Sequence, residues 1–124
     1  MRVARLEHAQ LAVPPGGEGR ARIFYGEMLG IPEVQKPENL AQRRGCWFER
    51  GDLKIHLGVK VDFRAARKAH PGLLIEDLPL LIERLRANSY EVRDDEPLEG
   101  FHRVYVDDPF GNRIELMEPY SAGI

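Results

Sequence analysis

The sequence predicts an α+β protein built from two copies of one module, each a strand, a helix and then three strands. Three observations predict it. Short stretches with alternating apolar and polar residues recur between Gly- and Pro-containing turns. Two segments with apolar residues at helical spacing, opening near Glu18 and Asp77, each follow the first strand of a half. The polar residues His8, His56, His70 and Glu115 also recur, in the first and last strand of each half, on the face opposite the apolar side chains. The first-strand and last-strand pairs are each spaced by about sixty residues, the mark of an internal duplication.

The elements follow in order. Leu6 to Val13 reads as a strand with His8 and Gln10 on one face and Ala9, Leu11 and Val13 on the other, ended by Pro14-Pro15-Gly16-Gly17. A helix is predicted from about Glu18 to Leu29 on the spacing of Ala21, Phe24, Tyr25, Met28 and Leu29, with Gly30 as its C-terminal stop. Pro32 and Pro37 bound a loop-rich passage with one short strand near Val34. Gly45 to Arg50 and Leu53 to Val59 form a predicted hairpin turning at Arg50-Gly51-Asp52. In it Gly45, Trp47 and Glu49 share the face of His56, while Cys46 and Phe48 take the other. A basic connection carrying Arg64, Arg67 and Lys68 leads to the second copy.

There His70 to Ile75 is the first strand, and Asp77 caps a helix with Leu78, Leu81, Ile82 and Leu85 as its apolar stripe. Tyr90 to Arg93 reads as an edge strand. Phe101 to Asp107 and Asn112 to Met117 are strands joined by Asp108-Pro109-Phe110-Gly111. The expectation is a single domain over residues 1–124, with modules at about 4–59 and 69–118.

Hydrophobic content of 43% with 31% charged residues is that of a globular chain. A net charge of −2 supplies no electrostatic attraction for nucleic acid, so no nucleic-acid partner is expected. Met1 to Arg5 lacks the apolar core of a signal peptide, and no apolar run approaches membrane-spanning length. One cysteine, Cys46, rules out an internal disulfide; a cytoplasmic protein is expected.

Three imidazoles and one carboxylate suit a divalent transition metal, Zn, Fe, Ni, Co or Mn, better than Mg or Ca, which prefer oxygen donors. The metal ligands predicted are therefore His8, His56, His70 and Glu115. Gln10, Trp47 and Arg103 are candidate substrate-binding residues: Trp47 as a pocket wall, Arg103 as the holder of an anionic group. Tyr105 could donate a hydrogen bond to a bound oxygen, and His56 could carry protons near neutral pH.

These residues resemble a known family. His8-Ala-Gln-Leu-Ala-Val, then Phe24-Tyr25 ahead of Met28-Leu29-Gly30, then Asp108-Pro109-Phe110-Gly111-Asn112-Arg113-Ile114-Glu115-Leu116 are similar to the vicinal-oxygen-chelate superfamily. That group includes glyoxalase I, fosfomycin thiol transferases, extradiol dioxygenases, methylmalonyl-CoA epimerase and bleomycin-resistance proteins. The resemblance runs from about Leu6 to Glu118 and implies two βαβββ modules forming a half-open mixed-sheet barrel, glyoxalase-like, around a divalent metal. It implies His8, His70 and Glu115 as ligands, whereas His56 stands where metal-binding glyoxalases place a glutamate. It places Tyr105 where fosfomycin transferases have a substrate-contacting tyrosine. It also implies a homodimer with sites at the subunit interface, His8 and His56 from one chain and His70 and Glu115 from the other.

The function expected is a metal-dependent enzyme that chelates a small oxygenated, anionic substrate through two oxygens. The reaction type stays open between lyase or isomerase, thiol transferase and dioxygenase. The alternative is a metal-free protein of the same fold that binds and sequesters a drug or metabolite.

Overall fold

The structure is a computed structural model and describes residues 1–120. The chain forms two compact units, Met1–Arg64 and the part from Ala65 onward. Each holds one four-stranded mixed sheet.

In the first unit β1 (Ala9–Val13) lies parallel to β4 (Leu53–Val59), and β3 (Gly45–Arg50) and β2 (Glu33–Val34) follow antiparallel, giving the order β1-β4-β3-β2. The predicted core face is buried at Leu11, Val13, Cys46, Phe48, Ile55 and Leu57, but β4 does not alternate strictly, because His56 between Ile55 and Leu57 is buried as well. The first strand is shorter than expected, because the β4 ladder begins at Ala9 opposite Ile55 and leaves His8 outside it. The predicted helix starts as α1 (Glu18–Ala21) and continues as a π-helical stretch, Arg22–Met28, in which the Leu29 amide donates to the Phe24 carbonyl five residues back at 3.0 Å. A wider turn rotates each residue less, so adjacent Phe24 and Tyr25 both face inward and both are fully buried. Gly30 follows in the left-handed region at φ 71°, as a helix stop requires.

Burial pushes the Cys46 thiol up to about 11. Native protein should therefore resist alkylation at mildly alkaline pH and react fully in denaturant, which a thiol-labelling time course checks. Because the unfolded thiol ionises near 9.0, Cys46 costs no stability below that pH; above it the unfolded chain is favoured as the pH rises.

The second unit repeats the topology. β5 (Gly72–Leu74) lies parallel to β8 (Arg113–Pro119), and β7 (Phe101–Asp107) and β6 (Val92–Arg93) complete the order β5-β8-β7-β6. His70 again precedes its strand, since the ladder starts at Gly72 opposite Glu115. Helix α2 (Leu78–Ala87) buries Leu78, Leu81 and Leu85. Its start is held twice: the Asp77 side chain accepts from the Leu80 amide, and the Glu118 carboxylate accepts from the Asp77 and Leu78 amides at 2.8 and 3.1 Å.

The β7–β8 turn is locked by its own side chains. Asp108 Oδ1 accepts from the Phe110 and Asn112 amides, both at 2.9 Å, and its Oδ2 accepts from Asn112 Nδ2 at 2.9 Å. Asn112 Oδ1 then accepts from the Ala66 amide, tying the turn to the segment that leads to His70. The Asp-Pro-Phe-Gly-Asn run thus sets the register of the strand that carries Glu115. Among the described residues no helix is long and apolar enough to cross a membrane.

Candidate metal centre in two half-sites

In the first unit the strand registers place Gln10, His56 and Trp47 in one row across β1, β4 and β3. His56 is 5% exposed. The Trp47 ring stacks on it at 3.7 Å with planes 2° apart, and the His8 ring stacks at 4.4 Å and 22°. Two rings cannot cover one face at those distances, so His56 is held between them. Its Nε2 faces Glu49 Oε2 at 2.6 Å. His8 Nδ1 faces Glu7 Oε1 at 3.0 Å, and Glu7, also paired with the Lys54 ammonium, is held below the usual carboxylate range by Lys54 first and His8 second.

The second unit carries the corresponding row, Gly72, Glu115 and Tyr105 across β5, β8 and β7. His70 Nδ1 donates to the Lys68 carbonyl at 2.8 Å, and its Nε2 lies 3.0 Å from Glu115 Oε1. Arg103 Nη1 donates to Glu115 Oε2 at 3.2 Å and to Tyr105 Oη at 2.9 Å, while its Nε and Nη2 donate to the Glu96 carbonyl. The Glu115 carboxylate holds the Arg103 guanidinium above its ordinary range. Because Tyr105 Oη accepts from Arg103, its own proton is left to donate elsewhere. A side chain at Gly72 would sit 3.2 Å from Met117 Sδ and 3.6 Å from Glu115 Oε1, so glycine keeps the approach to that carboxylate open.

Within each unit the donors are of the kind a divalent transition-metal cation takes. Each imidazole is pinned at one ring nitrogen by an acceptor: Glu7 for His8, Glu49 for His56 and the Lys68 carbonyl for His70. A neutral ring pinned so carries its lone pair on the other nitrogen, the arrangement found behind metal-binding histidines. Among the described residues His8 Nε2 and His56 Nδ1 have no hydrogen-bond partner. At His70 the remaining nitrogen faces a carboxylate oxygen, and two lone pairs at 3.0 Å repel unless a proton or a metal ion lies between them. Among the described residues no three His, Cys, Asp or Glu side chains gather closely enough to hold an ion.

The structure thus brings His8, His56, Trp47 and Gln10 together in one unit, and His70, Glu115, Tyr105 and Arg103 in the other. Arg103, expected to grip a substrate anion, spends most of its donors on Glu115, Tyr105 and Glu96. Glu49 is the residue that sequence reasoning missed. It shares the face of Trp47, and hairpin pairing sets it opposite Lys54, diagonal to His56, which is the signal that could have found it.

No protein-family profile matches the chain. The lactoylglutathione lyase of Salmonella typhimurium is 30% identical over 131 aligned residues, covering 96% of this chain and 96% of that protein. A crystal structure of a Bacillus anthracis protein described as a glyoxalase family protein is 43% identical, with a TM-score of 0.91 over 96% of this chain and 98% of that one. A glyoxalase/dioxygenase from Nostoc punctiforme, 18% identical over 94% of this chain and 92% of its own, shares the fold with a TM-score of 0.76.

Proposed function

This chain belongs to the vicinal-oxygen-chelate superfamily, and from that premise we propose that it is a metal-dependent enzyme of glyoxalase type. Its substrate is a small oxygenated, anionic molecule chelated through two oxygens. The ligands proposed are His8, His56, His70 and Glu115, for Zn, Fe, Ni, Co or Mn. The observation that carries the reading is the His70–Glu115 pair at 3.0 Å, with Nδ1 of His70 already committed to the Lys68 carbonyl. Of the reaction types open from the sequence, the lyase or isomerase type has the support of the relatives named lactoylglutathione lyase.

When bound, the ion would supply Lewis acidity to the substrate oxygens. The chain's own residues supply the rest. His56, clamped between Trp47 and His8 and backed by Glu49, has one ring nitrogen left, which either ligates the ion or, left unligated, moves a proton. Tyr105 donates its free proton to a substrate oxygen, its own oxygen held by Arg103. Arg103 fixes Glu115 and Tyr105 in place and is in this reading a positioning residue. A homodimer would complete two sites, His8 and His56 from one chain with His70 and Glu115 from the second copy.

Elemental analysis of freshly purified protein should find a divalent transition metal near one per chain. Adding Zn, Ni, Mn or Fe(II) to stripped protein should raise its melting temperature. Absence of both effects would favour the metal-free binding protein instead. Tight metal retained by a demonstrable monomer would refute the shared sites.

A further inference from the structure

Beside the His56 row lies a cleft of about 110 Å³, whose walls include Gln10, Lys36, Leu40, Arg43, Arg44 and Trp47. We propose that it is an anion-binding subsite that takes a carboxylate or phosphate group of the substrate. The inference deepens the enzyme reading, on which its link to a substrate rests, by locating the charged end of the molecule. The volume is that of a few water molecules, at about 30 Å³ each, which suits one anionic group and not a whole substrate.

Three cationic side chains border this cleft, and no residue lining it is acidic. Glu18 and Glu33 border the adjoining cleft with these cations, and Glu18 feels the Arg44 charge, but each has a direct partner elsewhere: Glu18 accepts from the Gly45 amide at 3.1 Å, and Glu33 takes two nitrogens of Arg22 at 2.8 and 3.2 Å. Among the described residues Lys36, Arg43 and Arg44 have no carboxylate within 4.0 Å. The Lys36 ammonium instead donates to the Arg43 carbonyl, which ties the two ends of the intervening loop together, and all three side chains border the same cleft. Cations with no carboxylate in direct contact gain when an anion joins them, and guanidinium forks match carboxylate and phosphate geometry.

The cleft also adjoins the proposed chemistry. Gln10 and Trp47 line it, and both are direct cross-strand neighbours of His56. The Gln10 amide lies over Gly58, where a Cβ would come within 2.9 Å of Nε2, so the glycine makes room for a neutral donor in the same wall. An anion seated here therefore has the rest of its molecule next to the His56 ring.

Trp47 is the sole tryptophan, so its fluorescence reports on the cleft. The protein is titrated with inorganic phosphate and, separately, with malonate at constant ionic strength, as purified and again after metal removal by chelation. The expected result is a saturable fluorescence change in both preparations, weakened about tenfold by Arg44→Ala and lost in the Lys36→Ala/Arg43→Ala/Arg44→Ala protein, with Arg44→Lys intermediate. The tighter of the two anions identifies the group. Equal responses in the wild type and the triple variant, or no response beyond that of chloride, would overturn the proposal. Anion binding that persists in a protein shown never to hold metal would retain the subsite and sink the enzyme reading. Bound metal with an inert cleft would do the reverse.

Discussion

Glu115→Ala should weaken binding of the proposed divalent metal by about a hundredfold or more in a chelator-competition titration. The expectation follows from what the carboxylate touches. Glu115 is buried, its Oε1 faces His70 Nε2, and its Oε2 anchors Arg103. The substitution removes a donor atom and also releases the guanidinium that holds Tyr105, so turnover should fall further than metal loading can restore. Glu115→Gln keeps the shape and one oxygen but not the charge, and should recover the fold without recovering tight metal. Unchanged metal content in Glu115→Ala would remove the basis of the proposed centre.

Gly45→Ala should destabilise the protein by about 3 kcal/mol or more, read as a lowered urea midpoint at constant slope. Gly45 opens β3 at φ 103°, and a Cβ there would lie 2.1 Å from the Leu57 carbonyl oxygen. That oxygen belongs to the backbone of the paired strand, so it cannot swing aside as a flexible side chain could. Gly100→Ala is the control: its φ of 88° is equally left-handed, but nothing lies within 4 Å of the added methyl, so only the smaller backbone strain of about 1 kcal/mol remains. A Gly45→Ala loss no greater than that of Gly100→Ala would refute the steric account.

Much of this architecture is legible in the residue order. Alternation in Cys46 to Phe48 and Ile55 to Leu57 marks which face is buried, and Arg50-Gly51-Asp52 marks the hairpin turn. The two modules are legible because His8 and His70, and His56 and Glu115, fall at matching places. What periodicity cannot supply is where a ladder stops: His8 and His70 look like strand residues, yet hydrogen bonding begins only at Ala9 and Gly72. The π-helical stretch is likewise invisible, since α and π spacings differ little over two turns and the need to bury Phe24 beside Tyr25 decides between them. The acceptors that orient the histidines include a backbone carbonyl, at Lys68, which no side-chain pattern announces. Arg64, Arg67 and Lys68 form a run visible in the sequence, whereas Lys36, Arg43 and Arg44 border one cleft only because a loop brings the first back to the others.

The grip of Arg103 on Glu115 has a consequence for denticity. With Oε2 hydrogen-bonded to the guanidinium and Oε1 facing His70, Oε1 is the better-placed donor for a cation. The pinned imidazoles are each restricted to one nitrogen in the same way. Side chains oriented this way would each give a bound ion one donor atom, which would leave room in its shell for a guest.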